Sequence, residues 1–466
     1  MKPKITIQSN PASIACQNSR TEQRSLPRSS TTFKSRAHRA LLTIGVALCG
    51  SYASLAQSLP PEWVTVDDVE NGWAHKIAAD RLGNVFLTGT VSVAGVNHPC
   101  ISKSSDQGVS WSSTVYTDIG VSSFSGIAAA TIEVAPATDA SPAVLQDLLV
   151  TSSYTTSGQW ITRRSLNAGA TWETVDIVDF LGISSAWSPQ NYSVAIDTSG
   201  NIYVVGMGVK ATTTVVKNKT SISNAYYWLI RKISRDATVA SPMGKTTFEL
   251  SETISPGYVN RASAVTCVGI RVFVAGQSGN RWQVRKYSGD GGTWELVDDF
   301  RYDPNYPSHP NRITKDSLGN VYVVGEGMRA VGPARPVQAT AAYWIVRKGN
   351  GIGTSSFLPV DRFELELNKG AVARGVTVDL EGNLHVIGTA ASTVAGYTRN
   401  RWFTRTLKAG ATEWLNADHY FLSPSEASIG HNIVADSAGN VFAAGRADEP
   451  TVLHNWVVRR QLAPVP

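Results

Sequence analysis

The stretch Asp316-Ser-Leu-Gly-Asn-Val-Tyr-Val-Val-Gly325 recurs along the chain and decides its fold. An Asp can cap a turn with its own side chain, and Gly takes the positive-φ position of that turn. The β-branched and aromatic residues that follow are typical of a strand. The stretch therefore predicts a β-hairpin. The other copies, the last of which lacks the turn acid, are Asp80–Gly89, Asp197–Gly206, Asp379–Gly388, Asp436–Gly445 and Cys267–Gly276.

A second motif, Trp-x-x-Arg, follows the hairpins and sets the number of repeats. In the first repeat Cys100-Ile-Ser-Lys103 takes its place, and in the second repeat the preceding hairpin is irregular and expected within residues 132–152. Seven units, each with four antiparallel strands, predict an all-β, seven-bladed β-propeller. The six copies of the motif are Trp160–Arg163, Trp228–Arg231, Trp282–Arg285, Trp344–Arg347, Trp402–Arg405 and Trp456–Arg459.

The N-terminal strand is expected to close the ring. The seventh unit lacks an outer strand, and Glu62-Trp-Val-Thr-Val-Asp67 matches the outer-strand pattern Trp294-Glu-Leu-Val-Asp298. Insertion of this segment into the last blade would pair two strand edges that are otherwise exposed. We therefore expect Trp63–Asp67 to pair with Trp456–Arg460.

Residues 1–56 have the pattern of a basic leader and secretory signal peptide. Eight Lys and Arg stand against one acid, Glu22, before the apolar run Ala40–Gly50 and the small residues around Ala56. The apolar run is too short for a permanent membrane helix. We expect one propeller domain over residues 57–466, secreted to an extracellular or periplasmic location, without a membrane anchor once the signal is removed.

Composition limits the possible partners of the mature chain. The 466 residues contain 42 Lys+Arg and 36 Asp+Glu, of which the leader holds 8 and 1, leaving 34 and 35. This balance gives no electrostatic reason to expect nucleic acid. Beyond the leader only Cys100 and Cys267 remain, so a disulfide framework is not expected. Histidines lack ligand spacing and no cofactor fingerprint occurs, so we expect neither a metal nor a cofactor. We also expect a monomer.

A third motif carries a resemblance to a known family. Ser104-Ser-Asp-Gln-Gly-Val-Ser-Trp111 fits the pattern Ser-x-Asp-x-Gly-x-(Ser/Thr)-Trp, and Ser165–Trp172 differs by Asn in place of Asp. The motif resembles the Asp-box, or BNR repeat, of sialidases and many other propellers. The hairpin unit resembles the bacterial SBBP-type repeat. The resemblances cover almost all of residues 61–466 and imply secreted propeller blades, but they imply no particular activity.

Residues that repeat in every unit are expected to be structural. The Trp side chains suit packing between blades, the Arg side chains suit strand-end carbonyls or aromatic faces, and the Asp residues suit turn caps. Two insertions, at residues 211–224 and 328–341, are expected as surface loops on one rim.

Residues that break the repeat are the candidate ligand-binding residues. The side chains vary at the position five residues before the hairpin acid, near the start of the innermost strand. Two of the candidate residues lie within one position of that place. Such residues are expected around the mouth of the central channel. They are His75, Tyr192, Arg261, Arg312, Arg374 and His431.

Three arginines in this set suit a carboxylate, because the guanidinium group can bind one in a bidentate manner. They resemble the arginine cluster of sialidases. The chain departs from that family: an Arg-Ile-Pro signature near the first blade is missing, and neither a Tyr/Glu nucleophile pair nor an acid/base Asp can be assigned.

Three functions remain compatible with the sequence. The favoured one is a binding module for a glycan, peptide or protein at the central channel face, since the repeats are regular and no catalytic set stands out. The alternatives are a sialidase-like or other polysaccharide-acting hydrolase and a purely structural scaffold. The fold does not choose among them, because propellers host all three.

Overall fold

The computed structural model describes residues 14–17, 62–117, 121–135, 144–155, 159–178, 190–216, 219–241, 243–250, 260–289, 292–332, 339–351, 357–451 and 454–463. Strands joined by turns make up this part of the chain, and they form seven antiparallel sheets. A search of the same residues for a helix long and apolar enough to cross a membrane finds none.

The first strands of the chain are β1 (Ile14–Gln17) and β2 (Trp63–Val69). Blade 1 consists of β3 (Gly72–Ala79), β4 (Val85–Val93), β5 (Val96–Ser104) and β6 (Ser112–Val115). Blade 2 consists of β7 (Val121–Ala135), β8 (Val144–Thr155), β9 (Trp160–Ser165) and β10 (Glu173–Val178). Blade 3 consists of β11 (Gln190–Ile196), β12 (Ile202–Val216), β13 (Lys219–Ile233) and β14 (Lys245–Leu250).

Blade 4 consists of β15 (Asn260–Val268), β16 (Arg271–Ser278), β17 (Arg281–Tyr287) and β18 (Trp294–Phe300). Blade 5 consists of β19 (Ser308–Lys315), β20 (Asn320–Val331), β21 (Ala339–Asn350) and β22 (Leu358–Phe363). Blade 6 consists of β23 (Ala371–Val378), β24 (Leu384–Val394), β25 (Tyr397–Leu407) and β26 (Trp414–Tyr420). Blade 7 consists of β27 (Ser428–Ala435), β28 (Val441–Ala447), β29 (Asn455–Gln461) and β2.

The blades form a closed ring around a central channel. The first strand of each blade contacts the first strand of the next, from β3 round to β27 and back to β3. These seven inner strands therefore surround the channel, and the predicted seven-bladed propeller is confirmed. At the periphery of blade 1, β1 pairs with β6 as a fifth strand, with Ile14 opposite Val115.

The N-terminal strand closes the ring as predicted. Trp63 pairs with Gln461, Val64 with Arg460 and Thr65 with Arg459, so β2 is the outer strand of blade 7. The Trp63 side chain is 5% exposed and packs in the core between blades 6 and 7. The last blade thus combines three C-terminal strands with one N-terminal strand.

The repeated Trp and the repeated hairpin Gly meet across the blade interfaces. All six Trp residues of the Trp-x-x-Arg motif are buried, as predicted. The rings of five of these Trp residues lie against the Gly that ends the hairpin motif of the following blade. A methyl group on that Gly would come within 3.0 Å of the ring and of a carbonyl oxygen on the inner strand. The pairs are Trp160 with Gly206, Trp228 with Gly276, Trp282 with Gly325, Trp402 with Gly445 and Trp456 with Gly89.

The repeated Arg binds an acid of the preceding blade, which the sequence interpretation did not anticipate. Arg347 in blade 5 forms two hydrogen bonds, of 2.8 and 2.7 Å, with the carboxylate of Asp298 in blade 4. Its guanidinium also lies over the ring of Phe300, 4.2 Å from the centroid, so the expected aromatic stacking is present. The equivalent ion pairs are Arg231–Asp176, Arg405–Asp361 and Arg459–Asp418.

Two interfaces lack the acid. The outer strands of blades 1 and 3 have Ser113 and Phe248 at the position of the paired Asp. There the arginines of the following blades, Arg163 and Arg285, lie over the rings of Tyr116 and Trp228. Both arginines thus stack on an aromatic ring of the preceding blade.

The five hairpin acids cap their turns as predicted. In each case one carboxylate oxygen accepts hydrogen bonds from backbone N–H groups two and four residues later, at 2.8–3.0 Å. The Asn of the motif donates to the second oxygen. The repeated Asp-x-x-Gly-Asn sequence is therefore a complete turn.

The two insertions differ from the prediction. Residues 211–216 continue β12 and residues 219–224 belong to β13, so the first insertion extends a hairpin. In the second, β20 continues to Val331 and β21 begins at Ala339, with Val331 opposite Ala339. The described residues of both insertions lengthen the second and third strands of a blade, because the backbone ladder continues through them.

Candidate functional site

A β-bulge in every inner strand creates the candidate site. The pairing between the first and second strands of each blade shifts by one residue close to the start of the inner strand. A bulge leaves one residue unpaired and changes the direction of its side chain. The seven unpaired residues are His75, Ser125, Tyr192, Ser263, Asn311, Arg374 and His431.

Four of the six candidate residues are therefore the bulged residues themselves. The other two are displaced from it: Arg312 follows the bulged Asn311, and Arg261 lies two residues before the bulged Ser263. The sequence interpretation placed both arginines within one position of the repeat site. For Arg261 this register was wrong by one residue, because the β15–β16 hairpin closes with the two-residue turn Gly269-Ile270.

Five basic side chains from four blades come together in the channel, and we name them the basic cluster. They are His75, Arg312, Arg374, His431 and Arg446. The charge of Arg312 in blade 5 acts on His75 in blade 1, although these blades are not neighbours in the ring. Side chains of non-adjacent blades can approach each other only across the channel, so the basic cluster faces the channel.

His431 lies at the centre of this charge distribution. Burial lowers the pKa of His431 well below its usual value, and the charges of Arg374, Arg446 and Arg312, together with the coupling to His75, lower it further. Burial and the charge of Arg312 likewise lower the pKa of His75. Both imidazoles are therefore neutral at neutral pH while the arginines keep their charge.

The positive charge of the basic cluster is incompletely compensated. Burial and the nearby Arg374 lower the pKa of Arg312 to about 10. Burial also lowers the pKa of Arg374, where the charge of Arg446 acts in the same direction and that of Glu326 in the opposite one. The Glu326 carboxylate lies 3.3 Å from Nδ1 of His309.

Polar nitrogens of the basic cluster are also left without a hydrogen-bond partner among the described residues. His75 Nε2, Arg374 Nε and Arg446 Nε are buried and have no hydrogen-bond partner in the described structure. Arg312 donates to the backbone oxygen of its neighbour Asn311 at 2.7 Å. Buried donors are rarely unpaired in folded proteins, so these nitrogens could serve an acceptor that comes from a ligand.

The opposite side of the channel mouth is aromatic. Tyr192 of blade 3 lies near Tyr154 of blade 2, and the charge of Arg261 in blade 4 acts on its hydroxyl. Burial raises the pKa of Tyr192, and its hydroxyl donates to Oε1 of Gln190 at 2.9 Å. We name Tyr154, Tyr192 and Arg261 the tyrosine side. Of the three candidate arginines, Arg312 and Arg374 thus act within the basic cluster, and Arg261 acts on Tyr192.

The other half of the channel is different in character. A cavity of about 440 Å³ lies near the hairpin turns and is lined mainly by small side chains of the inner strands, such as Ala78, Ala129 and Ala195. None of the six candidate residues lines it. Cys267 also borders this cavity, and burial raises the pKa of its thiol. The candidate residues therefore do not line this half of the channel, whose own charged lining residues are Asp197 and Lys315.

Sequence reasoning missed three residues of this mouth: Glu326, Arg446 and Tyr154. Glu326 and Arg446 each follow directly the Gly that ends a hairpin motif, on the second strand of the blade. At this position the repeats carry unrelated residues, which are Thr90, Met207, Gln277, Glu326, Thr389 and Arg446. That variability beside an invariant Gly was the available signal.

The mouth with the basic cluster is also the face of the long hairpins. An inner strand starts at this face, and the second strand of the blade returns to it. The hairpins β12–β13 and β20–β21 therefore extend on the same face as the basic cluster. Among the described residues, no group of three or more His, Cys, Asp or Glu is placed to hold a metal ion.

Comparison with known proteins assigns this chain to no family. No family model and no curated protein matches the chain. Among solved structures, a variant of NanB sialidase from Streptococcus pneumoniae is 9% identical, with 88% of this chain and 72% of that chain covered and a TM-score of 0.40.

Two other solved structures have similar values. Trypanosoma rangeli sialidase in complex with sialic acid is 10% identical, with 85% of this chain and 55% of that chain covered and a TM-score of 0.37. A puromycin-hydrolyzing peptidase of Mycobacterium tuberculosis is 12% identical, with 88% and 57% covered and a TM-score of 0.47. At such identities and TM-scores these likenesses assign no function to this chain.

Proposed function

We propose that this protein is a binding module that holds an acidic glycan at the mouth of its central channel. The observation that carries the proposal is the basic cluster, in which three guanidinium groups and two neutral imidazoles face one channel. The anionic group of the glycan would lie against Arg312 and Arg374.

An anionic ligand is supported by the cost of the free site. Burying a charge without a partner is unfavourable by several kcal/mol, and leaving donors unpaired adds to that cost. In the basic cluster, the donors Arg374 Nε and Arg446 Nε are buried without acceptors. A carboxylate, or a related oxyanion, supplies both the missing charge and the missing acceptors.

A sugar ring is supported by the tyrosine side. Tyr154 and Tyr192 are half-buried at the same mouth, and aromatic rings with one polar end suit contact with the apolar face of a sugar. An acidic peptide would pair with the arginines equally well, but it would lack the apolar sugar face that packs on these tyrosine rings. The glycan is therefore preferred, and a peptide or protein ligand becomes an outcome of the test.

The sialidase-like alternative has weaker support from the described residues. Retaining sialidases use a Tyr nucleophile that works with a carboxylate, and a separate acid/base residue. Here the Tyr192 hydroxyl donates to the Gln190 amide, and Glu326 is bound to His309. Neither arrangement activates a tyrosine, so binding without turnover is the better supported function.

The location of this activity is part of the proposal. The basic leader and apolar run of residues 1–56 support export, and we propose that the protein acts outside the cytoplasm as a monomer after removal of this leader. N-terminal sequencing of the exported protein would test the cleavage near Ala56. Retention of the leader on the exported protein would contradict it.

The proposed function is tested with a glycan array that contains acidic glycans and their neutral counterparts. We expect acidic glycans to bind selectively, and Arg312→Ala or Arg374→Ala to weaken the affinity about 10- to 100-fold by removing a charge-assisted hydrogen bond. Arg81→Ala is the matched control, because Arg81 is 46% exposed and pairs with Asp147 near the β3–β4 turn, at the other end of the inner strand from the basic cluster. The affinity of the Arg81→Ala variant for acidic glycans should stay unchanged.

The same preparation should be assayed with a fluorogenic sialoside. We expect no turnover. Clear turnover that Arg312→Ala and Arg374→Ala abolish would favour the hydrolase. Selective capture of acidic peptides would replace the glycan as ligand, and silence in all three assays would favour a scaffold.

A further inference from the structure

We propose that His75 and His431 take up protons when an anion enters the basic cluster, so that the channel mouth prefers doubly charged anions and binds them more tightly in acid. The inference rests on the anion site of the proposed function and adds its charge preference and its regulation.

The geometry places two imidazoles among fixed charges. His75 comes from blade 1 and His431 from blade 7, and each is the unpaired residue of its β-bulge. Arg312, Arg374 and Arg446 face them from blades 5, 6 and 7. His75 Nε2 is buried without a hydrogen-bond partner, so it has a free position for a proton and for an acceptor in the channel.

The remaining charged groups around the cluster are already bound to one another. Glu326, which acts on Arg374, lies beside His309. Arg446 is hydrogen-bonded to Nδ1 of His454, which itself lies 3.2 Å from Asp448. On the tyrosine side, Arg261 acts on Tyr192. None of these partners neutralises all three arginines, so the free site keeps a surplus of positive charge.

This surplus keeps the imidazoles neutral and explains the coupling. In the free protein, burial and the arginines lower the pKa of both histidines below 6.5, so neither binds a proton at neutral pH. An anion between the arginines removes that repulsion and adds attraction, so the histidine pKa rises on binding. Binding therefore takes up protons, and the affinity must increase as the pH falls through the histidine pKa of the complex.

The charge preference follows from the same balance. Glu326 acts on Arg374 and Asp448 reaches Arg446 through His454, so the three guanidinium groups keep a surplus of positive charge before either histidine is protonated. A single carboxylate would leave part of that surplus uncompensated. A dianion, such as a phosphate, a sulfate or two adjacent carboxylates of a glycan, would compensate it and attract the histidine protons as well.

The test uses calorimetry on the full chain with inorganic sulfate and acetate as probes. Sulfate stays doubly charged and acetate singly charged from about pH 8 to about pH 5.5, so a change in affinity reports on the protein. We expect sulfate to bind more tightly than acetate, and its affinity to rise up to about tenfold per pH unit for each proton taken up. Titration in buffers of different ionisation enthalpy should give a net proton uptake.

Variants separate the histidines from the rest of the site. His75→Gln with His431→Gln should still bind sulfate but without proton uptake and without the pH dependence. His98→Gln, in β5 away from the cluster, should leave both unchanged. The wild-type proton count does not depend on how well a variant folds.

The outcomes distinguish this inference from the proposed function. Sulfate binding that is independent of pH, with no proton uptake, would overturn the coupling and leave the anion site intact. Equal affinity for sulfate and acetate would overturn the charge preference. Absence of any anion binding would overturn the inference together with the proposed function.

Discussion

Arg347 combines, in one residue, the interactions that hold neighbouring blades together. Its guanidinium binds both carboxylate oxygens of Asp298, donates to the Phe357 backbone oxygen at 2.7 Å and lies over Phe300. Burial raises the pKa of Asp298 even though Arg347 lowers it. The cost of removing this carboxylate from water is therefore large, and the ion pair mainly ensures that neither charge is buried alone.

This balance gives a prediction for single and double substitutions. Asp298→Ala should lower the free energy of unfolding by about 3–5 kcal/mol, because Arg347 stays buried without its carboxylate. Replacing both partners, as Asp298→Leu with Arg347→Met, should recover most of that loss. Urea denaturation followed by tryptophan fluorescence measures both.

The adjacent residue of the same strand provides the control. Asp299 pairs with Arg281, whose side chain is 47% exposed, so Asp299→Ala should cost at most about 1 kcal/mol. An equal loss for Asp298→Ala and Asp299→Ala would show that the buried ion pair has no special role.

At the residue scale the sequence predicted part of this arrangement. The Trp-x-x-Arg repeat indicated a structural Arg that stacks on an aromatic ring, which the contact of Arg347 with Phe300 confirms. The acid was missed because it belongs to the preceding blade, 49 residues earlier for Asp298. Periodicity shows which residues repeat, but it does not show which of two repeated residues meet across an interface.

At the scale of the strands, the glycine of the hairpin motif has a role that its turn chemistry does not explain. Gly325 lies in the middle of β20, where a side chain would meet the His309 carbonyl oxygen and the ring of Trp282. The bulge of β19 begins at the next residue, Pro310. The Gly therefore makes room both for the tryptophan of the preceding blade and for the bulged inner strand.

Gly325→Ala should consequently destabilise the propeller by about 2–3 kcal/mol through overpacking. Gly396→Ala is the matched control, because Gly396 has a φ of 83° and open space around it. Only the strained backbone conformation should then lower the free energy of unfolding, by about 1 kcal/mol. Thermal unfolding of the two variants beside the wild type measures the difference. If Gly325→Ala were no more destabilising than Gly396→Ala, the packing of Trp282 on this strand would not be tight.

The bulges also explain how far the candidate site was predictable. Counting back from the turn acid located His75, Tyr192, Arg374 and His431, because the hairpin turns there are equally long. The same count failed for Arg261, whose hairpin is shorter. Arg446 was missed because it reaches the cluster from a second strand, and that proximity depends on the twist and packing of blade 7.

At the scale of the whole molecule, one strand joins the two ends of the ring. Arg459 donates to the Trp63 carbonyl oxygen at 2.8 Å and to Thr65 Oγ1 at 3.0 Å, while its other contacts reach Asp418 of blade 6. The N-terminal strand is thus bound to blade 7 by the residue that also binds blade 7 to blade 6. The guanidinium group of Arg459 therefore contributes both to the closure of the ring and to the contact between blades 6 and 7.

Closure was predictable because the missing outer strand and the matching N-terminal segment are both visible in the sequence. Its energetic weight is not visible there, since it depends on burial of Trp63 between two blades. A chain that begins at residue 71 should therefore lose at least about 3 kcal/mol of stability, the usual cost of removing a large buried aromatic side chain. A chain that begins at residue 62 retains β2 and is the control.

Addition of a peptide that spans residues 61–70 should restore cooperative unfolding to the shorter chain, because the peptide can pair with β29 in the register of the native strand. A second peptide with Trp63→Ala should restore it less. Denaturation curves with increasing peptide concentration measure the effect through the shift of the midpoint. Equal stability of the two shortened chains without peptide would mean that packing between blades closes the ring and that β2 only covers an edge.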